Sequence, residues 1–152
     1  MGCDIHVAVE RLDFSGRWQL LPPPVEFIGP LWRNLTECDE TPDELRMRSW
    51  FDLRNYELFR QIARAAKNDA SAPVMKCLRG LPADASREII ENAETFEFGQ
   101  VMHPTWLRLF EATRVVDEQW DNFLVEVLRL ADCCTSKLRL VIWWDQTPLA
   151  FA

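Results

Sequence analysis

The sequence predicts an α+β fold: a small, mostly antiparallel sheet made of an N-terminal hairpin and a C-terminal strand, with four to five helices packed on it. Three observations predict it. Residues 3–11 alternate between apolar and polar, residues 138–145 form a second strand-like run, and helical stripes fill the chain between them. The 152 residues fit a single domain, 1–152, and 48% of them are hydrophobic, including seven Trp and nine Phe. That is enough apolar material to bury a real core.

In the first strand Cys3, Ile5, Val7 and Val9 fall on one face, and Asp4, His6, Ala8 and Glu10 on the other. A half-buried strand requires this parity, with the odd positions inward and the even ones facing an accessible hollow. Asp13-Phe14-Ser15-Gly16 supplies turn chemistry, and Arg17-Trp18-Gln19-Leu20-Leu21 returns as a second strand. Pro22-Pro23-Pro24 stops that strand. Thr41-Pro42-Asp43-Glu44 then reads as a capping box opening a helix, with the acids from Glu37 onward complementing its dipole.

Four further helices follow. Tyr56, Phe59, Ile62, Ala63 and Ala66 form a stripe through residues 55–67, ended by Lys67-Asn68-Asp69. Ser86 can cap a short helix carrying Ile89, Ile90 and Ala93. Pro104-Thr105 is expected to open another, striped by Trp106, Leu109, Phe110 and Thr113. The clearest spans residues 115–131, with Val116, Trp120, Phe123, Leu124, Val127 and Leu128 along one side. Thr135-Ser136-Lys137 turns the chain into the last strand, Leu138 to Asp145, expected beside the first. In it Trp143 shares the face of Arg139 and Asp145, and Trp144 that of Leu140 and Ile142, so one tryptophan lies away from the main core.

Charge and cysteines exclude several classes. A net charge of −7 disfavours duplex nucleic acid, whose binding rests on phosphate contacts. It leaves room for a basic partner surface. Five cysteines without a C-x-x-C spacing make neither a disulfide framework nor a zinc knuckle, and fit a reducing compartment. Asp4, His6 and Glu10 argue against a signal peptide, and no apolar run is long enough to span a bilayer. Met1-Gly2-Cys3 has the start of a lipidation signal but lacks the hydroxyl wanted where His6 stands. Phosphate-loop and nucleophile-elbow motifs are missing.

Candidate chemistry begins on the even face. Asp4 and His6, about 6.5–7 Å apart at alternate strand positions, could share a ligand or one divalent metal ion, whereas Glu10 lies about 13 Å beyond His6. Two histidines cannot build a His-rich zinc site, but a carboxylate-rich Mg²⁺ or Mn²⁺ site could draw on His103 and Asp145. The competing explanation is an ordinary solvent-facing strand, with Asp4 paired to Arg139 across strands. His103-Pro104-Thr105 matches one H-x-[ST] element of the two-histidine phosphoesterases, but the other histidine reads His6-Val7-Ala8 and lacks the hydroxyl. Arg54-Asn55-Tyr56, beside Trp143 and Asp145, could hold a base or nucleotide by stacking and charge-assisted bonds, or could simply cap a helix.

Met1-Gly2-Cys3-Asp4-Ile5-His6 followed by Glu10 resembles the M-G-C-D-I-H-x-x-x-E opening of a family of small phage and prophage proteins. Arg54-Asn55-Tyr56-Glu57-Leu58-Phe59 is similar to that family's R-N-Y-x-L-F, and Arg79-Gly80-Leu81-Pro82 with Asp84 and Ser86 also matches. His103-Pro104-Thr105-Trp106-Leu107 resembles its H-S-x-S-W-L block, departing at Pro104, and Leu138 to Asp145 resembles its aromatic last strand. The resemblance spans most of the chain and is thin between residues 22 and 50. It implies a phage-encoded, non-virion accessory protein in the host bacterial cytoplasm, and no particular reaction.

The expected function is binding of a host component, either a host protein such as a defence complex, as a counter-defence inhibitor, or a nucleotide-like small molecule. The expected binding face joins Asp4, His6, Glu10, Arg54, Asn55, Tyr56, Arg139, Trp143 and Asp145. An anionic nucleotide would need Arg54, Arg79 and Arg139 to gather locally. The alternative is a metal-assisted hydrolase or phosphodiesterase using Asp4, His6, His103 and Asp145, and a third reading is an assembly role without a small-molecule site.

Overall fold

The computed structural model describes residues 4–22, 51–92, 102–132 and 134–144. In chain order these hold β1 (Asp4–Leu12), β2 (Trp18–Leu21), β3 (Phe51–Arg54), α1 (Tyr56–Ala65), α2 (Val74–Cys77), α3 (Arg87–Asn92), β4 (Met102–Arg108), α4 (Leu109–Ala112), α5 (Glu118–Ala131) and β5 (Leu138–Trp144). A 3₁₀ turn at Thr135–Lys137 leads into β5. The fold is α+β, as the alternating ends and helical middle predict. The expected helix at Thr41 lies outside the described residues.

Every described strand pair is antiparallel. β1 is central: β5 runs along one side, while β3 and β2 share the other, pairing with its first and second halves. β4 lies beyond β5. The first and last strands are therefore neighbours, as expected. Strands are not confined to the chain ends, however, since β3 and β4 come from its middle.

The hairpin turn closes as its residues suggest. Asp13 Oδ1 accepts from the Ser15 and Arg17 N–H groups at 2.8 and 3.0 Å, and Gly16 adopts φ +82°, a conformation open to glycine at little cost.

The larger core lies on the odd face of β1. Ile5, Val7 and Val9, with Leu140, Ile142 and Trp144 of β5, pack against Phe59 and Ile62 of α1 and Trp120 and Val127 of α5. The Phe59 ring meets Trp144 edge-on at 3.7 Å. Asn55 caps α1, its side-chain oxygen accepting from Leu58 N–H at 3.1 Å, and Asn68 in the left-handed region (φ +53°) follows its end. Asp117 caps α5 in the same way, accepting from Trp120 N–H at 2.9 Å. Val116 and Leu128, placed on the buried stripe by periodicity, are instead exposed at 80% and 40%. The first precedes the helix and the second sits at the edge of its apolar arc.

The region around Pro104 corrects the predicted helix. Residues 102–108 form β4, and only Leu109–Ala112 are helical. The physical reason is position in the sheet. Among the described strands β4 ends the order, where a proline lacking an N–H does no harm, and the register shifts between Met102 and Thr105. His103 takes φ +47° within that bulge. The outer edge of β4 is covered: Gly80 N–H donates to Pro104 O at 3.0 Å and Arg79 Nη1 to Trp106 O at 3.1 Å. Thr105 does not cap a helix; its hydroxyl oxygen accepts from Arg79 N–H at 3.1 Å.

The even face of β1 is not an open hollow either. Ala8, Leu20, Val141 and Trp143 form a second apolar cluster under Ala85 and Ile89, so the segment entering α3 roofs this side of the sheet.

Candidate functional site

Cross-strand register builds the site on this second face. Leu20, Glu10, Arg139 and Arg108 stand opposite one another on β2, β1, β5 and β4. Two arginines facing each other would repel. The conflict is resolved by partners. Arg139 Nε donates to Glu10 Oε1 at 2.7 Å and its Nη1 to Asp84 Oδ1 at 2.7 Å, while Arg108 leans over the Trp106 ring, 5.7 Å from its centroid.

Glu10 in turn ties down the roof, its Oε2 accepting from Ser86 N–H at 2.5 Å. Ser86 does precede α3, but its hydroxyl has no hydrogen-bond partner among the described residues, so the cap is the Glu10 carboxylate. Arg139 Nη2 also donates to the Asp84 carbonyl at 3.2 Å. Two side chains from distant strands, Glu10 and Arg139, thus clamp the 84–86 turn to the sheet. The hydrogen bond from Arg139 holds the Asp84 carboxyl below its ordinary range.

Beside this clamp lies a cavity of about 790 Å³, within the range of small-molecule sites. Trp18, Asp84 and Arg139 line it together with Trp106, Arg108 and Phe110. Arg139 stacks on Trp18 at 4.1 Å and Arg79 on Trp106 at 4.4 Å. Arg79 is itself held by both oxygens of Glu111, at 2.8 and 2.6 Å. Burial raises the Glu111 pKa, but the Arg79 bonds and the Arg108 N–H outweigh it and leave the carboxyl below its usual value. The tryptophan rings are therefore fixed by cations that are themselves anchored. A smaller cavity of about 450 Å³ adjoins, sharing Trp18 and Asp84.

The predicted site residues separate. His6, Glu10, Arg139 and Trp143 do lie on one face, but they are buried, with exposures of 1%, 0%, 5% and 1%. This overturns the expectation of an accessible even face: the roof segment packs on Glu10, Arg139 and Trp143, and His6 is buried beside Trp143. Of that set only Arg139 lines the large cavity. The Asp4–Arg139 pair is corrected too: register sets Asp4 opposite Arg54 on β3, and Glu10 opposite Arg139. Asn55 is a helix cap, and Tyr56 packs against the larger core on the other side of the sheet. Asp145 and the side chains of Asp4 and Arg54 lie outside the described residues.

His6 stands opposite Trp143, their rings 5.7 Å apart. His103 is on β4, beyond β5, so two strand spacings of about 4.8 Å each separate the backbones of the two histidines. Neither lines the large cavity. Among the described residues no group of three or more His, Cys, Asp or Glu side chains gathers as a metal site. Cys77 is buried and donates its thiol to Pro73 O at 3.3 Å, leaving it a packing role.

Sequence reasoning missed Trp18, Asp84, Trp106 and Arg108. Trp106 and Arg108 share a face only because β4 is a strand, at period two. Reading that segment as a helix concealed the pair. No helix of the described residues is long and apolar enough to cross a membrane. No protein-family model matches the chain, and no curated protein or solved structure matches it.

Proposed function

We propose that this chain is a phage- or prophage-type accessory protein of the host bacterial cytoplasm that acts by binding, with a small molecule seated between Trp18 and Trp106. One observation carries the reading: a cavity of about 790 Å³ walled by two tryptophans, each stacked by a guanidinium held in place by a carboxylate. Rings that are already fixed lose little freedom on meeting a ligand, and preorganisation of this kind favours binding. The opening motif supports the phage assignment, and a counter-defence role follows if the bound molecule is a host signal.

The hydrolase alternative draws no support from the geometry, since its two histidines stand on strands separated by β5 and one is buried. A thermal-shift panel of nucleosides, nucleotides and divalent metals tests the proposal, because a ligand of the native state raises the melting temperature. Arg108→Ala and Phe110→Ala, both at exposed positions of the cavity wall, are expected to abolish the shift caused by an organic ligand. A shift that both variants retain would place the ligand elsewhere. A panel in which only metals act would overturn the small-ligand reading.

A further inference from the structure

We infer that the cavity takes a planar heteroaromatic ligand, uncharged or singly charged, with an N–H edge — a nucleobase or nucleoside — and that Asp84 reads that edge. This rests on the binding role proposed above and names its ligand class.

Shape and charge lead to the same class. Trp18 and Trp106 are each half-buried, so both offer indole surface to the cavity while remaining held by the protein. Indole faces accept planar rings by stacking, and every nucleobase has such a face. The cations nearby are already committed. Arg139 is shared by Glu10 and Asp84, and Arg79 behind Trp106 is bound by Glu111. Among the described residues Arg108 makes no ion pair, so the cavity wall offers one guanidinium to an incoming charge, in a chain whose net charge is −7. One guanidinium matches a neutral or singly charged ligand. It does not match a triphosphate, whose charges need several.

Asp84 supplies the specific contact. Its side chain is 69% exposed, one oxygen is held by Arg139, and the backbone carbonyl is held by the same guanidinium. The carboxylate is therefore held and anionic, with Arg139 its main donor and the Trp18 side chain a weaker one. A carboxylate only accepts, so its natural partner is an exocyclic amino group, the donor that adenine, guanine and cytosine share.

The test titrates the whole chain with the four common nucleosides and their triphosphates. Binding is followed through the indole N–H signals of Trp18 and Trp106 by ¹H–¹⁵N NMR. At least one amino-bearing nucleoside is expected to move those signals and to bind about tenfold more tightly than its triphosphate. Asp84→Asn keeps an oxygen for Arg139 and is expected to weaken nucleoside binding about tenfold. If that variant melts early, N-methylated bases against the unchanged chain pose the same question, with the same loss expected.

Tighter binding of the triphosphate, or indifference to both the Asp84 change and base methylation, would overturn the inference while leaving the cavity as a binding site. Silence of both indole signals toward every nucleoside would also overturn it. The separate thermal-shift panel then shows whether any other molecule depends on Arg108 and Phe110, and so whether the binding role survives.

Discussion

Arg139 Nε lies 2.7 Å from Glu10 Oε1, in an ion pair whose side chains are 6% and 0% exposed. The pair joins adjacent strands and, through Ser86 N–H and Asp84, fastens the roof over one face of the sheet. Such a pair is expensive to break, because either partner alone is left as a charge out of water.

Glu10→Ala is accordingly expected to destabilise the fold by about 3–5 kcal/mol. Urea denaturation followed by tryptophan fluorescence measures it. The double change Glu10→Leu with Arg139→Met should recover part of the loss. A Glu10→Ala chain as stable as the parent would show that the contact contributes little.

His6 was expected to face a hollow, which would let His6→Ala keep full stability. Its burial beside Trp143 reverses that expectation. Truncation leaves a void beside Trp143 and should cost about 2 kcal/mol or more. A melting temperature equal to that of the parent would contradict the packing described here.

Glu111 gives a pH dependence with a definite sign. Its folded pKa is depressed below the ordinary 4.5, so the stabilisation is complete above that value and is lost as pH falls through the lower, folded one. Stability should therefore decline below about pH 4.5 more steeply than in Glu111→Gln. Parallel acid-limb profiles by circular dichroism for the two proteins would rule this contribution out.

Asn55→Ala removes the cap of α1 and is expected to cost about 1 kcal/mol. Because Asn55 was also a candidate binding residue, the same variant separates two roles. Retained ligand binding after correction for stability assigns Asn55 to the helix alone, and specific loss of binding would return it to the site.

What local patterning could show, it showed well. The parity of residues 5–9 placed Ile5, Val7 and Val9 in the larger core, and the parity of the last strand sent Trp143 and Trp144 to opposite faces. Asn55 and Ser86 stand immediately before helices, as side chains of their kind do. The failures were also local in origin. Pro104 followed by a helical spacing looked like a helix start, yet at the edge of a sheet the same proline is harmless, and its carbonyl takes a bond from Gly80.

The sequence by itself determined which residues alternate, which cap and which stripe, because those properties follow from the repeat of a strand or helix and need only near neighbours. Only the tertiary structure decided that the even face of β1 is roofed, that Glu10 and not Asp4 meets Arg139, and that Trp18 and Trp106 flank one cavity. Each of these joins residues many positions apart, and the order and register of strands, which no short window of sequence encodes, bring them together.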